Sequence, residues 1–212
     1  MRTSSITARW PLSTKLRIAG ACGIASIVVA TLANALAIFY SSGFSYTQNW
    51  LSDLGGTSYA AFLNVPRPLV STPITILFSQ WGLIIAGLLA VVFALGLFLQ
   101  ADSPVYRLGA AIGIVGTAGL CAEGIFLAPT GVPHLVAFYT FCLLAPVAML
   151  LIGGTFLPPK KWLAGFSVTL GIVALAGTAM TAYARSIPEL VVLVTVAFWA
   201  ITLSVRMLRQ SV

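Results

Sequence analysis

Long apolar runs alternate with short polar breaks along this chain, and the runs lack the in–out alternation of membrane barrel strands. Six of them are long enough for a helix to cross a hydrocarbon layer of about 30 Å, which takes roughly 20 residues. They cover residues 18–40, 74–99, 108–127, 134–157, 163–184 and 189–208. No water is available inside that layer, so each segment must satisfy its own backbone groups, and helices are the solution. The pattern therefore predicts an all-α fold: one domain over residues 1–212, a polytopic membrane bundle of six transmembrane helices. Most connections are short, which makes successive helices antiparallel. The exception is the first, residues 41–73, rich in aromatics and Pro. A connection of that length is usually functional, and a short interfacial helix is expected within it.

Composition agrees with the pattern. Hydrophobic residues make up 59% of the chain and charged residues 7%, against about 25% charged in an ordinary soluble domain. The charges that remain are sorted. Arg2, Arg9, Lys15, Arg17, Arg107, Lys160, Lys161, Arg206 and Arg209 fall at one set of helix ends, and Arg67 and Arg185 at the other. Basic residues concentrate on the cytoplasmic side of membrane proteins, so both termini are expected there, in a multi-pass protein of the cell membrane. The net charge of +7 then calls for no nucleic-acid partner; anionic lipid at the bilayer surface accounts for it. The basic N-terminal stretch and the long run after it read as a retained first helix rather than a cleaved signal. Cys22, Cys121 and Cys142 all fall inside spans at scattered heights and read as small apolar packing groups.

The polar residues of the opposite, extracytoplasmic side carry the candidate chemistry. In the long connection, Phe44 to Gly56 reads as an amphipathic helix stopped by Gly55-Gly56, with Tyr46 and Trp50 at the membrane interface. On such a helix Asn49, Ser52 and Asp53 are neighbours. They either hydrogen-bond locally or line an extracytoplasmic pocket that binds substrate or lipid, together with Arg67 and Arg185. The third span carries Glu123. Gly109, Gly116 and Gly119 project within about 40° of it at 100° per residue, and a glycine stripe marks a face where another helix packs closely. Glu123 is therefore expected to face protein. His134 opens the fourth span after a tight connection, and a Glu123–His134 hydrogen bond, direct or through one water, is expected, structural or chemical. Arg185 and Glu189 read as a rim salt bridge, and Arg67 as a partner for Asp53 or a lipid phosphate.

Several chemistries are excluded. The chain has no P-loop, GxSxG, HExxH or CxxC, and its single His cannot build a histidine-rich zinc site or a bis-His haem. No metal and no cofactor are expected.

The stretch Asn49-Trp50-Leu51-Ser52-Asp53-Leu54-Gly55 resembles the (I/L)SDLG signature of the domain-of-unknown-function 998 proteins, small prokaryotic membrane proteins of about six helices. Phe78-Ser79-Gln80-Trp81-Gly82-Leu83-Ile84 resembles that family's second-helix pattern, where Asn is more usual at the position of Ser79. Gly124-Ile125-Phe126, then Pro129 and His134, resembles its GxFP…H hairpin with extra residues before the Pro. The resemblance covers most of the chain. It implies a fold and a recurring polar set on the outer side, and no activity.

Three function classes stay open. One is a structural or accessory subunit of a larger membrane complex, or a lipid-interacting protein, alone or as a homo-oligomer. The second is an enzyme acting on lipid-linked substrates with Asp53, Glu123 and His134 as catalytic candidates. Ser52 is a poor nucleophile there, because Asp53 would point about 100° away. The third is a small transporter or channel, against which the lack of midplane charge and of an internal repeat both count.

Overall fold

The computed structural model describes residues 10–56, 70–156, 161–184 and 186–210. Among them are six helices long and apolar enough to cross a membrane, and no strands. They are α1 (Leu12–Phe39), α2 (Pro73–Leu99), α3 (Pro104–Ile125), α4 (Val132–Gly154), α5 (Lys161–Ala184) and α6 (Ser186–Gln210).

The helix starts lie a few residues before those read from hydropathy, and the causes are local. Pro104 is held at the first position of α3 by Ser103, whose side chain accepts from the Tyr106 N–H. Thr72 does the same for Thr75 at the start of α2, where Pro73 opens the helix. Proline suits that position because its missing N–H would have no partner there anyway. Polar or basic first turns at Lys15, Arg107 and Ser186 are helical too, although hydropathy does not see them.

Each helix packs on its sequence neighbour, and α6 returns to α1, so the six form a closed ring. An even number of antiparallel passes puts both described ends of the chain at the same end of the ring. We call this the terminal end and the opposite one the distal end. Close approach at glycine sets the seams. A Cβ on Gly87 of α2 would collide with the backbone of Cys121 on α3, and one on Gly124 would lie 2.7 Å from the Gln80 carbonyl oxygen. The Gly109, Gly116 and Gly119 stripe meets Ile152, Ala145 and Phe141 of α4, as the stripe predicts. Pro146 interrupts α4 and leaves the Cys142 carbonyl without its helical donor; Thr178 Oγ1 of α5 donates to that oxygen at 2.7 Å.

The terminal end of the ring is closed by large side chains. Leu97, Tyr106, Phe156, Leu203 and Met207 form a continuous buried core there. Tyr106 and Phe156 meet edge to face at 6.1 Å, and Phe93 and Trp199 at 6.4 Å. Outward-facing Leu32, Leu36, Leu88, Leu95, Ile172 and Phe198 are exposed all round the ring. A perimeter this apolar is what a lipid environment requires.

Candidate functional site

The long first connection carries the site's roof. Its helical reading needs correcting: only Leu51–Gly55 is helical, as one turn of 3-10 helix. Side chains compete with the helix for its backbone donors. Asn49 Oδ1 accepts from the Ser45 N–H at 3.1 Å, and Asp53 Oδ2 accepts from the Trp50 N–H at 2.9 Å. Trp50 is held extended, with φ −88° and ψ 158°.

This segment, the strap, is fastened across the distal end. The Asn49 carbonyl accepts from Ser186 N–H and from Ser186 Oγ, at the first turn of α6. Trp50 Nε1 donates to the Thr181 carbonyl at 3.2 Å, near the end of α5. The Leu51 N–H donates to Glu189 Oε2 at 2.7 Å. Trp50 is therefore buried against protein rather than set at a membrane interface, while Tyr46 stays exposed.

The motif residues divide the work. Leu54 is wholly buried. A Cβ on Gly55 would lie 3.0 Å from Leu127 and 3.3 Å from Ser79 Oγ, so a side chain there would push both neighbours back by a few tenths of an ångström. Gly56 has φ +133°, a left-handed conformation that favours glycine, and a Cβ there would collide with Pro129. Asp53 and Asn49 are both 0% exposed, and Asn49 Nδ2 donates to Asp53 Oδ2 at 3.5 Å. Both act in the strap's internal bonding, which is the local alternative for these residues. Asp53 is also the acid within electrostatic reach of His134.

The expected direct hydrogen bond between Glu123 and His134 does not form. His134 Nδ1 lies 2.8 Å from the Phe126 carbonyl oxygen, so that nitrogen carries the proton and closes the α3–α4 connection. Its ring stacks on Phe138. Glu123 faces protein as the glycine stripe predicts and is 8% exposed, but it points elsewhere.

Glu123 lines a small chamber of about 40 Å³ beneath the strap, with Asn34, Ser52, Ser79, Cys142 and Glu189. Glu189, expected at an exposed rim, is 7% exposed, and its bond to the Leu51 N–H ties α6 to the strap; the expected pairing with Arg185 falls outside the described residues. The place of Glu189 in the first turn of α6, where the helix dipole favours an acid, was the available signal. Arg67 and Arg185 lie outside the described residues. Among the described residues no three His, Cys, Asp or Glu side chains gather as a metal site would need.

Beside the chamber lies a much larger cavity of about 320 Å³ in the middle of the ring. The two share Asn34, Leu51, Leu83, Leu120, Phe141 and Leu193 as walls. Below them the lining is almost wholly apolar, from Ala30 and Phe93 down to Met149, Ile152 and Trp199. The cavity also reaches the flank of the bundle. At the terminal end α1 and α6 are sealed, with Gly20 and Gly23 against Ser204. Toward the distal end the lining residues Thr31 and Ala35 of α1 and Leu190 and Val194 of α6 are exposed. A lateral portal between the two helices would lie there. The site is thus a polar pocket above an apolar hollow.

Neither a curated protein nor a solved structure matches this chain. Residues 21–206 match the family described as "Protein of unknown function (DUF998)", and since that match takes in most of the chain, including the SDLG strap and the helices that wall the chamber, the protein belongs to this family.

Proposed function

We propose that this protein is a lipid-interacting protein of the cell membrane, which takes the apolar chain of a membrane amphiphile into its central cavity and holds the polar end in the chamber under the strap. The carrying observation is that the two spaces adjoin, with six residues walling both. A hollow lined by Phe93, Met149 and Trp199 gains nothing from water, whereas an acyl or alkyl chain buries apolar surface there at about 25 cal/mol per Å². A portal between α1 and α6 would give entry from the bilayer without crossing the polar surface. The distribution of basic residues supports an orientation with the termini in the cytoplasm and the strap outside.

Other readings draw less support. Leu203, Met207 and Tyr106 close the terminal end, which disfavours a through-going transport path. The proposed catalytic trio is divided: Glu123 lines the chamber, while Asp53 and His134 lie among the strap and hairpin contacts and do not line it.

Native mass spectrometry of protein extracted gently from membranes tests the reading. One amphiphile per chain is expected. Ala197→Trp, which fills the hollow, and Thr31→Trp, which blocks the portal from an exposed position, should both lose it while the protein stays folded. Wild-type protein that carries no such adduct and gains no thermal stability from added amphiphiles would overturn the proposal.

A further inference from the structure

We infer that the chamber beneath the strap binds one small monovalent cation, of the size of sodium, through Glu123, Ser79, Ser52 and Asn34. The inference goes beyond the lipid-binding reading and does not depend on it.

The unmet polar groups come first. Asn34, Ser52, Ser79 and Glu123 all line the chamber, and none has a hydrogen-bond partner among the described residues. Ser79 is 6% exposed and Glu123 is 8% exposed. Other buried hydroxyls, such as those of Ser26, Thr178 and Thr195, donate to a helix carbonyl, the usual solution within a helix. Ser79 Oγ instead lies under the strap, 3.3 Å from where a Cβ on Gly55 would stand. A buried polar group without a partner is costly, and several that converge on one space mark a ligand site.

Chemistry comes second. A carboxylate, two hydroxyls and an amide carbonyl all offer oxygen, the donor that hard cations take. Glu123 lies within the membrane-spanning α3, where an ionised acid needs a counter-charge. Glu189, the other acid on the chamber, already has partners, the Leu51 N–H among them, and is not counted as a ligand. One carboxylate then calls for a single positive charge. Among the described residues no three His, Cys, Asp or Glu gather as a transition-metal site would need, which agrees with a monovalent ion.

Size comes third. About 40 Å³ holds roughly three particles of water's size, at about 10–15 Å³ each. An ion like sodium fits, with one or two waters to complete its shell; choline does not. The polar end of an amphiphile that reached the chamber would take the place of one of those waters.

Placement gives the ion a task. The strap's anchors at Thr181, Ser186 and Glu189 belong to α5 and α6. Asn34, Ser79 and Glu123 come from α1, α2 and α3, and Ser52 comes from the strap itself. One ion held by all four ties the strap to three helices that those anchors do not reach.

The test uses full-length protein in mild detergent and alkaline, sodium-free choline chloride. Sodium chloride replaces choline chloride at constant ionic strength, while thermal unfolding and limited proteolysis between Asn49 and Gly56 are followed. With sodium about a hundredfold above its dissociation constant, the melting temperature should rise by roughly 5–10 °C. Cleavage of the strap should slow by about tenfold or more. Glu123→Gln, which keeps the shape and removes the charge, should lose the sodium shift. Ser79→Ala, which removes one ligand, should need about tenfold more sodium. Equal melting and cleavage in sodium and choline, the result for a chamber that takes only water, would overturn the inference, and so would a full sodium shift in Glu123→Gln. If Glu123→Gln fails to fold, an unchanged sodium requirement in Ser79→Ala overturns it instead. None of these results bears on the amphiphile adduct that tests the lipid-binding reading.

Discussion

The two halves of the ring use the same helices to opposite ends. At the terminal end, large side chains meet: Tyr106, Phe156, Leu203 and Met207 pack together between the helices. At the distal end the same helices present Ala30, Thr31, Ala35 and Ala197 to a cavity, and a strap of polar residues closes the top. One end uses apolar volume for cohesion; the other leaves space open and carries three of the chain's four acids, Glu123 and Glu189 on the chamber and Asp53 within the strap. A uniformly packed bundle has no need of this asymmetry.

The largest expected effect separates packed from hollow. Leu203→Ala removes a side chain that is 1% exposed in the packed floor, and should cost about 2–5 kcal/mol of stability. Leu193→Ala only enlarges a space that already exists, since Leu193 walls both cavity and chamber. It should cost about 1 kcal/mol, the transfer part alone. Denaturant unfolding in mild detergent measures both, and equal losses would break the comparison.

The seams give the next contrast. Gly87→Val drives a branched side chain into the α3 backbone at Cys121 and should cost about 1–3 kcal/mol. Gly165→Val, where an added Cβ meets nothing within 4 Å, should stay within about 0.5 kcal/mol. Thermal melts of the pair in one detergent suffice. A Gly87 variant as stable as the Gly165 variant would mean that the ring adapts freely and that its hollow is not held open by tight seams.

Asp53→Ala comes third. It removes the acceptor of the Trp50 N–H and of Asn49 Nδ2, both inside a buried strap, and should cost about 1–3 kcal/mol. The loss should be local: limited proteolysis should open the chain between Asn49 and Gly56, while the helices stay intact. Equal protease resistance in variant and wild type would show that the strap is held by its outer anchors alone.

These contrasts also mark what can be read from the sequence. The helices are legible because a run of about 20 apolar residues has few other solutions. The inward face of Glu123 is legible because glycines at helical spacing state where a neighbour comes close. The hollow is not legible. Ala and Gly on α1 serve equally for a tight seam, as Gly20 does, or for a cavity wall, as Ala30 and Ala35 do, and no periodicity tells them apart. Glu189 joins Glu123 only through ring closure, a long-range event that spacing does not encode. His134 was read toward Glu123 because the two share a hairpin. Neighbouring depth does not fix which way a side chain turns, and the Phe126 carbonyl, a few residues away, is the nearer partner. The strap was read as a longer helix because its apolar spacing fits one, but Asn49 and Asp53 spend their side chains on the backbone donors that a helix would use.

The smallest expected effect tests how the strap is tied to the ring. Trp50 Nε1 donates to the Thr181 carbonyl, which lies in the last turn of α5, where carbonyls lack helical donors. The indole thus acts as a cap brought from another part of the chain, and it does so beside Ser186, whose N–H and hydroxyl both donate to the Asn49 carbonyl. Trp50→Phe keeps most of the apolar contact and deletes only the donor, leaving the Thr181 carbonyl buried without it. The cost should be about 0.5–1.5 kcal/mol, with faster hydrogen exchange at the Ser186 amide, because its acceptor sits on the same strap. The indole of Trp50 does not line the central cavity, although its neighbour Leu51 does, so binding of an amphiphilic probe there should be unchanged. A variant that matches wild type in both stability and exchange would show that the indole ring's volume, not its N–H, fixes the strap. A variant that loses probe binding would show that roof and hollow are one cooperative unit rather than two regions with separate duties.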